Sequence, residues 1–384
     1  MDALSLLKTL IAIPSINPMG QKTGKGTERE VADCLENLLR REGIEVQRQA
    51  VEPDRENIIA RVDVSPGNPG LSNGLLLNSH MDTVPVAHMT VDPFNPTISQ
   101  GRIFGRGSCD AKGSLAAMVK ALIHHAHRSR RTRPVFLLAT VDEEFSFAGS
   151  RKFIEQHWPI SAAVVGEPTE LTTIIAHKGV VRWSFRVWGV SAHGATPELG
   201  RNAIYDAAKL ALGLQSYAAE LARRAAHPLL GTGTLNLGRI SGGQAVNMVA
   251  DLCEFEVDRR LLPDEDGREA IRDCEAWLRS HIDPTVRFEV SDPFLVDSAL
   301  DTSESSEIVK AVASSRTKLL GQPGACHGAH YGTDGSKFSR VGIETIVCGP
   351  GKIAQAHTNA EFLEIQQLDD ATRLFDDLIQ NWGC

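Results

Sequence analysis

Histidines and carboxylates in this sequence gather where short apolar runs give out. His80 and Asp82 follow Leu75–Leu77, Glu143 and Glu144 follow Val135–Val141, and Glu167 follows Ala162–Val165. Asp110 lies in the run GRGSCDAKG, and His357 closes the run GPGKIAQAH. Imidazole nitrogen and carboxylate oxygen are the donors that open catalytic metal sites take. Together these residues make a ligand set for two divalent ions. Such a site needs a carboxylate shared between the ions and a further carboxylate, outside the ligand set, to take a proton from water. Adjacent Glu143 and Glu144 suit that division, because neighbours at a strand end point to opposite sides. His80 and Asp82 are two apart in extended chain and fall on one side, where Asp82 is placed to fix the His80 tautomer.

The elements that must hold these residues alternate between helix and strand. An amphipathic first helix carries Leu4, Leu7, Leu10 and Ile11. Thr27–Glu30 has the spacing of a capping box ahead of Val31, Leu35, Leu38 and Leu39. Gly113 opens a helix to about His127, and the near-continuous apolar runs at 135–141 and 162–165 predict parallel strands covered on both faces. The carboxyl edge of such a sheet is where ligands bind. After Ala176 the pattern changes to strict alternation at Val181, Trp183, Phe185 and Val187. A helix follows over about 202–225, strands at 232–240 and 252–260, a helix at 266–280 and a strand at 286–290. This β-α-β-β-α-β order is that of the ferredoxin-like motif, and it leaves a sheet face or edge available for pairing. The α/β pattern resumes with a strand at 345–348 and a closing helix at 368–379. The expected architecture is an α/β catalytic domain with a mixed, mostly parallel sheet, in segments 1–176 and 291–384, interrupted by an α+β insert at 177–290.

Bulk composition narrows the partners. The chain has 384 residues, 42% of them apolar and 23% charged, with a formal net charge of −8. Apart from Arg128–Arg133 there is no basic block, which argues against nucleic acid or an anionic membrane. No stretch approaches the length of a membrane span, and the N-terminus lacks the basic start of a signal peptide. Seven cysteines without a CxxC pair fit a reducing cytoplasm. The run Gly20–Lys25 is one residue short of a P-loop, and the zinc-protease signature HExxH is absent. His124, His125 and His127 cluster at a helix C-terminus, where positive charge suits the dipole. His327 and His330 read as part of a glycine-rich loop lining the active site, and Asp142 as a carboxylate bonded to nearby backbone or facing solvent.

The runs SHMDTVPV, GRGSCDAKG, DEEFSFAGS, GEPTELTTIIAHKG, SAHGATP, GTLNLGRISGG and GPGKIAQAH, in that order, resemble the dinuclear zinc metallopeptidase family that contains acetylornithine deacetylase, succinyl-diaminopimelate desuccinylase, aminoacylase and carboxypeptidase G. The resemblance covers essentially the whole chain. It implies a zinc-peptidase-like catalytic domain whose insert serves as lid and dimerisation surface. It also implies two divalent ions, zinc with cobalt as alternative, one held by His80 and Glu167 and the other by Glu144 and His357. Asp110 would bridge them, ahead of a cis peptide to Ala111. Glu143 would be the general base, Asp82 would orient His80, and His193 would polarise the scissile carbonyl from the other subunit of a homodimer. Asn247 and Arg260 would bind the substrate's carboxylate end. The implied activity is removal of an acyl group from N-acyl amino acids, most like the acetylornithine deacetylases. Desuccinylase, general aminoacylase and dipeptidase activities stand as alternatives. A non-catalytic module on this fold predicts lost ligands or a lost base, and none is missing.

Overall fold

The computed structural model describes residues 1–20, 27–66, 73–322 and 324–382. Most of the Gly20–Lys25 run and Cys384 fall outside them. The chain divides into two compact units, one of residues 1–175, 301–327 and 333–384, the other of 176–300 and 328–332.

The larger unit is built on a mixed sheet whose strand order is Glu45–Glu52, Arg55–Val62, Val135–Thr140, Gly74–His80, Ile160–Val165, Glu344–Val347, Thr173–His177, Leu300–Asp301. The four strands from 135–140 to 344–347 are parallel neighbours. Three of them, at 74–80, 135–140 and 160–165, are buried almost without interruption. Helices cover both sides, so these strands carry continuous apolar runs rather than alternation. Helix Lys112–Ala126 makes the crossover from strand 74–80 to its parallel neighbour 135–140. Its first turn packs close to the ends of strands 160–165 and 344–347, and glycine permits this. A Cβ on Gly166 would stand 2.6 Å from Ser114 Cβ.

Register then places the chemistry. Asn78 lies opposite Val165 and His80 opposite Thr140. Two residues further along, Glu167 is therefore level with His80, and Glu143–Glu144 begin just beyond Thr140. All leave the sheet at its carboxyl edge.

The smaller unit is an antiparallel sheet in the order Thr234–Gly242, Leu252–Leu261, Gly179–Trp188, Arg287–Val290, with helices Ala203–Leu221 and Gly267–His281. This is the ferredoxin-like order. Its core is formed by Trp183, Phe185, Phe255, Leu210, Leu214 and Tyr217 among others, each at most 1% exposed. Burying a large apolar side chain stabilises by about 1.5–3 kcal/mol, so one alternating strand contributes several such increments. Among the described residues, strand 234–242 is bonded along one edge only.

The expected capping box is not formed. Helix Arg29–Arg41 starts at Glu28, whose side chain makes no cap bond. Its carboxylate instead grips Arg55 at 2.5 and 2.9 Å. A buried guanidinium left unpaired is costly, and Glu28 supplies the paired carboxylate. No helix among the described residues is long and apolar enough to cross a membrane.

Candidate metal centre

Five of the expected ligands converge in the larger unit as two triads that share Asp110. His80, Asp110 and Glu167 form one, and Asp110, Glu144 and His357 the other, the donor atoms of each lying within 4.8 Å of one another. The two oxygens of Asp110 face different histidines. Oδ1 is 3.2 Å from His80 Nε2, and Oδ2 is 3.2 Å from His357 Nε2. Glu167 Oε1 lies 3.8 Å from His80 Nε2, and Glu144 Oε2 3.1 Å from His357 Nε2. His80, Asp110 and Glu167 are buried, whereas the His357 side chain is 53% exposed and leaves that side open. The Asp110–Ala111 peptide is cis, as expected.

The donor set fits divalent cations on this structure's own terms. Glu167 Oε1 is buried without a hydrogen-bond partner among the described residues, which is costly for a carboxylate. Burial raises the proton affinity of Glu167 and Glu144, and the Asp110 charge raises both further. Glu143 is raised by burial and then by Glu167. For His357, hydrogen bonds to Asp110 and Glu144 push the pKa up to about 10. Burial disfavours the charged form of His80, but Glu167, Asp110 and Asp82 together hold its pKa well above the usual value. Clustered carboxylates that hold protons on neighbouring imidazoles are the metal-free signature of a site made for cations.

Glu143 belongs to neither triad. Its amide and that of Glu144 both donate to the Asp82 carboxylate, at 3.2 and 3.1 Å. Asp82 also faces His80, through both its main chain and its carboxylate. The nearest acceptor to His80 Nδ1 is the Asp82 main-chain carbonyl at 2.9 Å, with the carboxylate at 3.5 Å. The same carboxylate holds the turn that carries Glu143 and Glu144.

Behind it stands a network that sequence reasoning missed. Asn17 Nδ2 donates to Asp82 at 2.7 Å and to Asp142 at 3.0 Å. Arg55 donates to Asp142 at 2.9 Å and is held in turn by Glu28. Asp142, expected at solvent or on backbone, is instead 2% exposed and bonded to the side chains of Asn17, Arg55 and Ser146. Its φ of +64° belongs to the sharp turn that follows the strand. The only sequence signal was an aspartate directly before the Glu143–Glu144 pair. Asn17 and Arg55 gave none.

In the smaller unit His193 and Asn247 are brought together. His193 bridges Met248, the Gly194 amide donates to the Asn247 carbonyl at 2.8 Å, and His193 and Asn247 are both exposed. Alternation separates the arginine pair. Arg259 is 1% exposed and bonded to Glu265, while Arg260 points to the other face, 29% exposed, with Asp258 at 2.7 Å. His327 and His330 are exposed and belong to neither metal-competent group among the described residues. The histidines ending helix 112–126 depart from expectation. Burial lowers the pKa of His124, and that of His125 to about 4, so for these rings desolvation outweighs the dipole.

Residues 76–381 match the model of peptidase family M20/M25/M40. A curated acetylornithine deacetylase from Proteus mirabilis is 33% identical over 99% of this chain and 96% of its own length. One from Pasteurella multocida is 32% identical over 98% and 97%. Among solved structures, a tripeptidase from Staphylococcus aureus superposes with a TM-score of 0.78 at 21% identity, covering 98% of this chain and 97% of that one. A dinuclear metal-binding peptidase of the same family from Bacillus subtilis gives 0.72 at 16% identity over 98% and 96%. The chain belongs to peptidase family M20/M25/M40 and is a hydrolase of amide bonds.

Proposed function

We propose that this member of the family removes the acyl group from N-acyl amino acids, N-acetylornithine foremost, with Glu143 as general base. The observation that carries the reading is the pair of donor triads sharing Asp110 beside a glutamate, Glu143, that joins neither. His80, Asp110 and Glu167 would hold one ion, and Asp110, Glu144 and His357 the other. Zinc suits these donors, with cobalt as alternative. When bound, such ions act as Lewis acids toward a carbonyl and lower the pKa of a water.

The chain's own residues do the rest. Glu143 takes the proton from the attacking water and returns it to the departing amine. Its proton affinity is set by opposition: burial, Glu167 and Glu144 raise it, and His80 lowers it, with bound cations acting in the same sense as His80. Asp82 holds the Glu143 backbone in place. His193 donates a hydrogen bond to the carbonyl oxygen as charge develops there. Asn247 and Arg260 grip the amino acid's carboxylate, a planar guanidinium being able to do so with two bonds. Identity of about a third to acetylornithine deacetylases over nearly the whole chain supports the substrate.

A homodimer through the insert is part of the same reading. It is supported by the open edge of strand 234–242 and by Tyr205 and Leu212, 72% and 64% exposed on helix 203–221. The six described cysteines are free, which suits a cytoplasmic setting.

The test is the initial rate of amine release by zinc-loaded protein from N-acetylornithine, N-succinyl-diaminopimelate and a neutral N-acetyl amino acid. A preference of tenfold or so for the first, about 1.4 kcal/mol of discrimination, is expected. Equal rates, or preference for either of the others, would remove the ornithine assignment.

A further inference from the structure

Asp110 is delivered by a loop without regular structure, between strand Arg102–Phe104 and helix Lys112–Ala126. Backbone N–H groups in such a buried loop must find acceptors, and here they find one side chain. The amides of Cys109 and Asp110 donate to Glu361 Oε1 at 2.8 and 3.0 Å. The Gly107 amide donates to Oε2 at 3.1 Å, and Arg106 Nη1 to the same oxygen at 2.6 Å. Glu361 is 0% and Arg106 2% exposed. Both oxygens of Glu361 are thus engaged by two donors each, which leaves it unsuited to be a ligand itself. Gly107 has a φ of +83°, a left-handed conformation suited to glycine, so that its amide and those of residues 109 and 110 turn toward one point. A buried carboxylate is expensive unless fully bonded. Its place is therefore fixed, and the loop is fixed to it.

We propose that Glu361 is a positioning residue for Asp110: its carboxylate gathers the amides of residues 107, 109 and 110 and so sets where the shared donor carboxylate stands. The run His357–Glu361 then carries both a donor and the anchor of the donor it faces. This rests on the reading of Asp110 as the shared metal ligand.

The experiment is cobalt(II) titration of the metal-depleted full-length protein, followed by visible absorption and calorimetry, with the thermal midpoint of each metal-free variant measured alongside. Glu361→Gln puts a donor where one pair of donors needs an acceptor. It is expected to weaken cobalt binding about tenfold or more and to change the absorption band. Arg106→Met breaks the same buried ion pair and lowers the midpoint comparably, yet leaves the three amide bonds, and is expected to keep affinity within about threefold, well short of that loss. Asp110→Asn is the control. If it retains full affinity, the ligand reading fails and the anchor falls with it. If it weakens binding while Glu361→Gln does not, the anchor alone fails. Equal loss in Arg106→Met and Glu361→Gln also overturns it, since general damage would then suffice. Should Glu361→Gln not fold, Glu361→Asp keeps the charge but shortens the reach, and full affinity in that variant is equally decisive.

Discussion

At the scale of single residues, the proposed roles of base and ligand divide between Glu143 and Glu144. Glu144 lies within a donor triad and Glu143 does not, although their amides are held by the same carboxylate. Glu143→Ala is expected to bind two equivalents of metal as before while losing turnover by a factor of about 10² to 10⁴, the usual worth of a general base. Loss of one metal equivalent in that variant would place Glu143 among the ligands instead. The histidines set a second expectation. Without metal the His357 pKa stands at about 10, with Asp110 and Glu144 as the cause. At neutral pH that ring holds a proton which a cation must displace. Metal binding should therefore release protons, and apparent affinity should rise with pH throughout the range below about 10, by up to about tenfold per pH unit for each proton released. Calorimetry in buffers of different ionisation enthalpy measures the protons directly. Zero release at pH 7 would show that His357 is not displaced.

At the scale of elements, helix Lys112–Ala126 shows tertiary burial overriding a local rule. His125 in its last turn is 4% exposed, with a pKa lowered to about 4 by burial and by Arg128 and Arg131. The unfolded chain binds that proton near pH 6.5, so between 6.5 and 4 the unfolded state holds more protons and stability falls as pH falls. The gap of about 2.5 units is worth up to about 3 kcal/mol below pH 4. His125→Phe should flatten the stability–pH curve in that window when unfolding is followed by urea titration, and an unchanged slope would show that His125 does not carry it. The parts of the fold legible in the sequence share one property, that a short window contains them. Apolar runs ending in His80, Glu143 or Glu167 announce parallel strands, and the alternation from Val181 to Val187 announces an antiparallel one. What was not legible depends on partners far along the chain. Thr27 and Glu30 have capping spacing, yet the helix starts at Glu28, which serves Arg55, and Asn17 meets Asp82 and Asp142 across 65 and 125 positions. Glu361 meets Asp110 across 251. No periodicity encodes such pairings.

For the whole molecule, the prediction turns on His193. It is exposed in the smaller unit, and that unit also presents an unpaired strand edge with Tyr205 and Leu212 outward on a helix. If two copies join through that surface and His193 completes the partner's site, neither Glu143→Ala nor His193→Ala homodimers work, but a hybrid of the two does. In the hybrid, the subunit retaining Glu143 receives an intact His193 from the other, while the second site lacks both. Random mixing of equal amounts makes about half the dimers hybrid with one working site each, so activity should recover to about a quarter of wild type. Recovery should require subunit exchange, and Leu212→Glu, which places a charge on the joining face, should abolish it and yield monomers by light scattering. If His193 acts within its own chain, both sites of every hybrid are damaged and mixing recovers nothing. That outcome would separate the histidine from the interface, leaving dimerisation to be judged by light scattering alone.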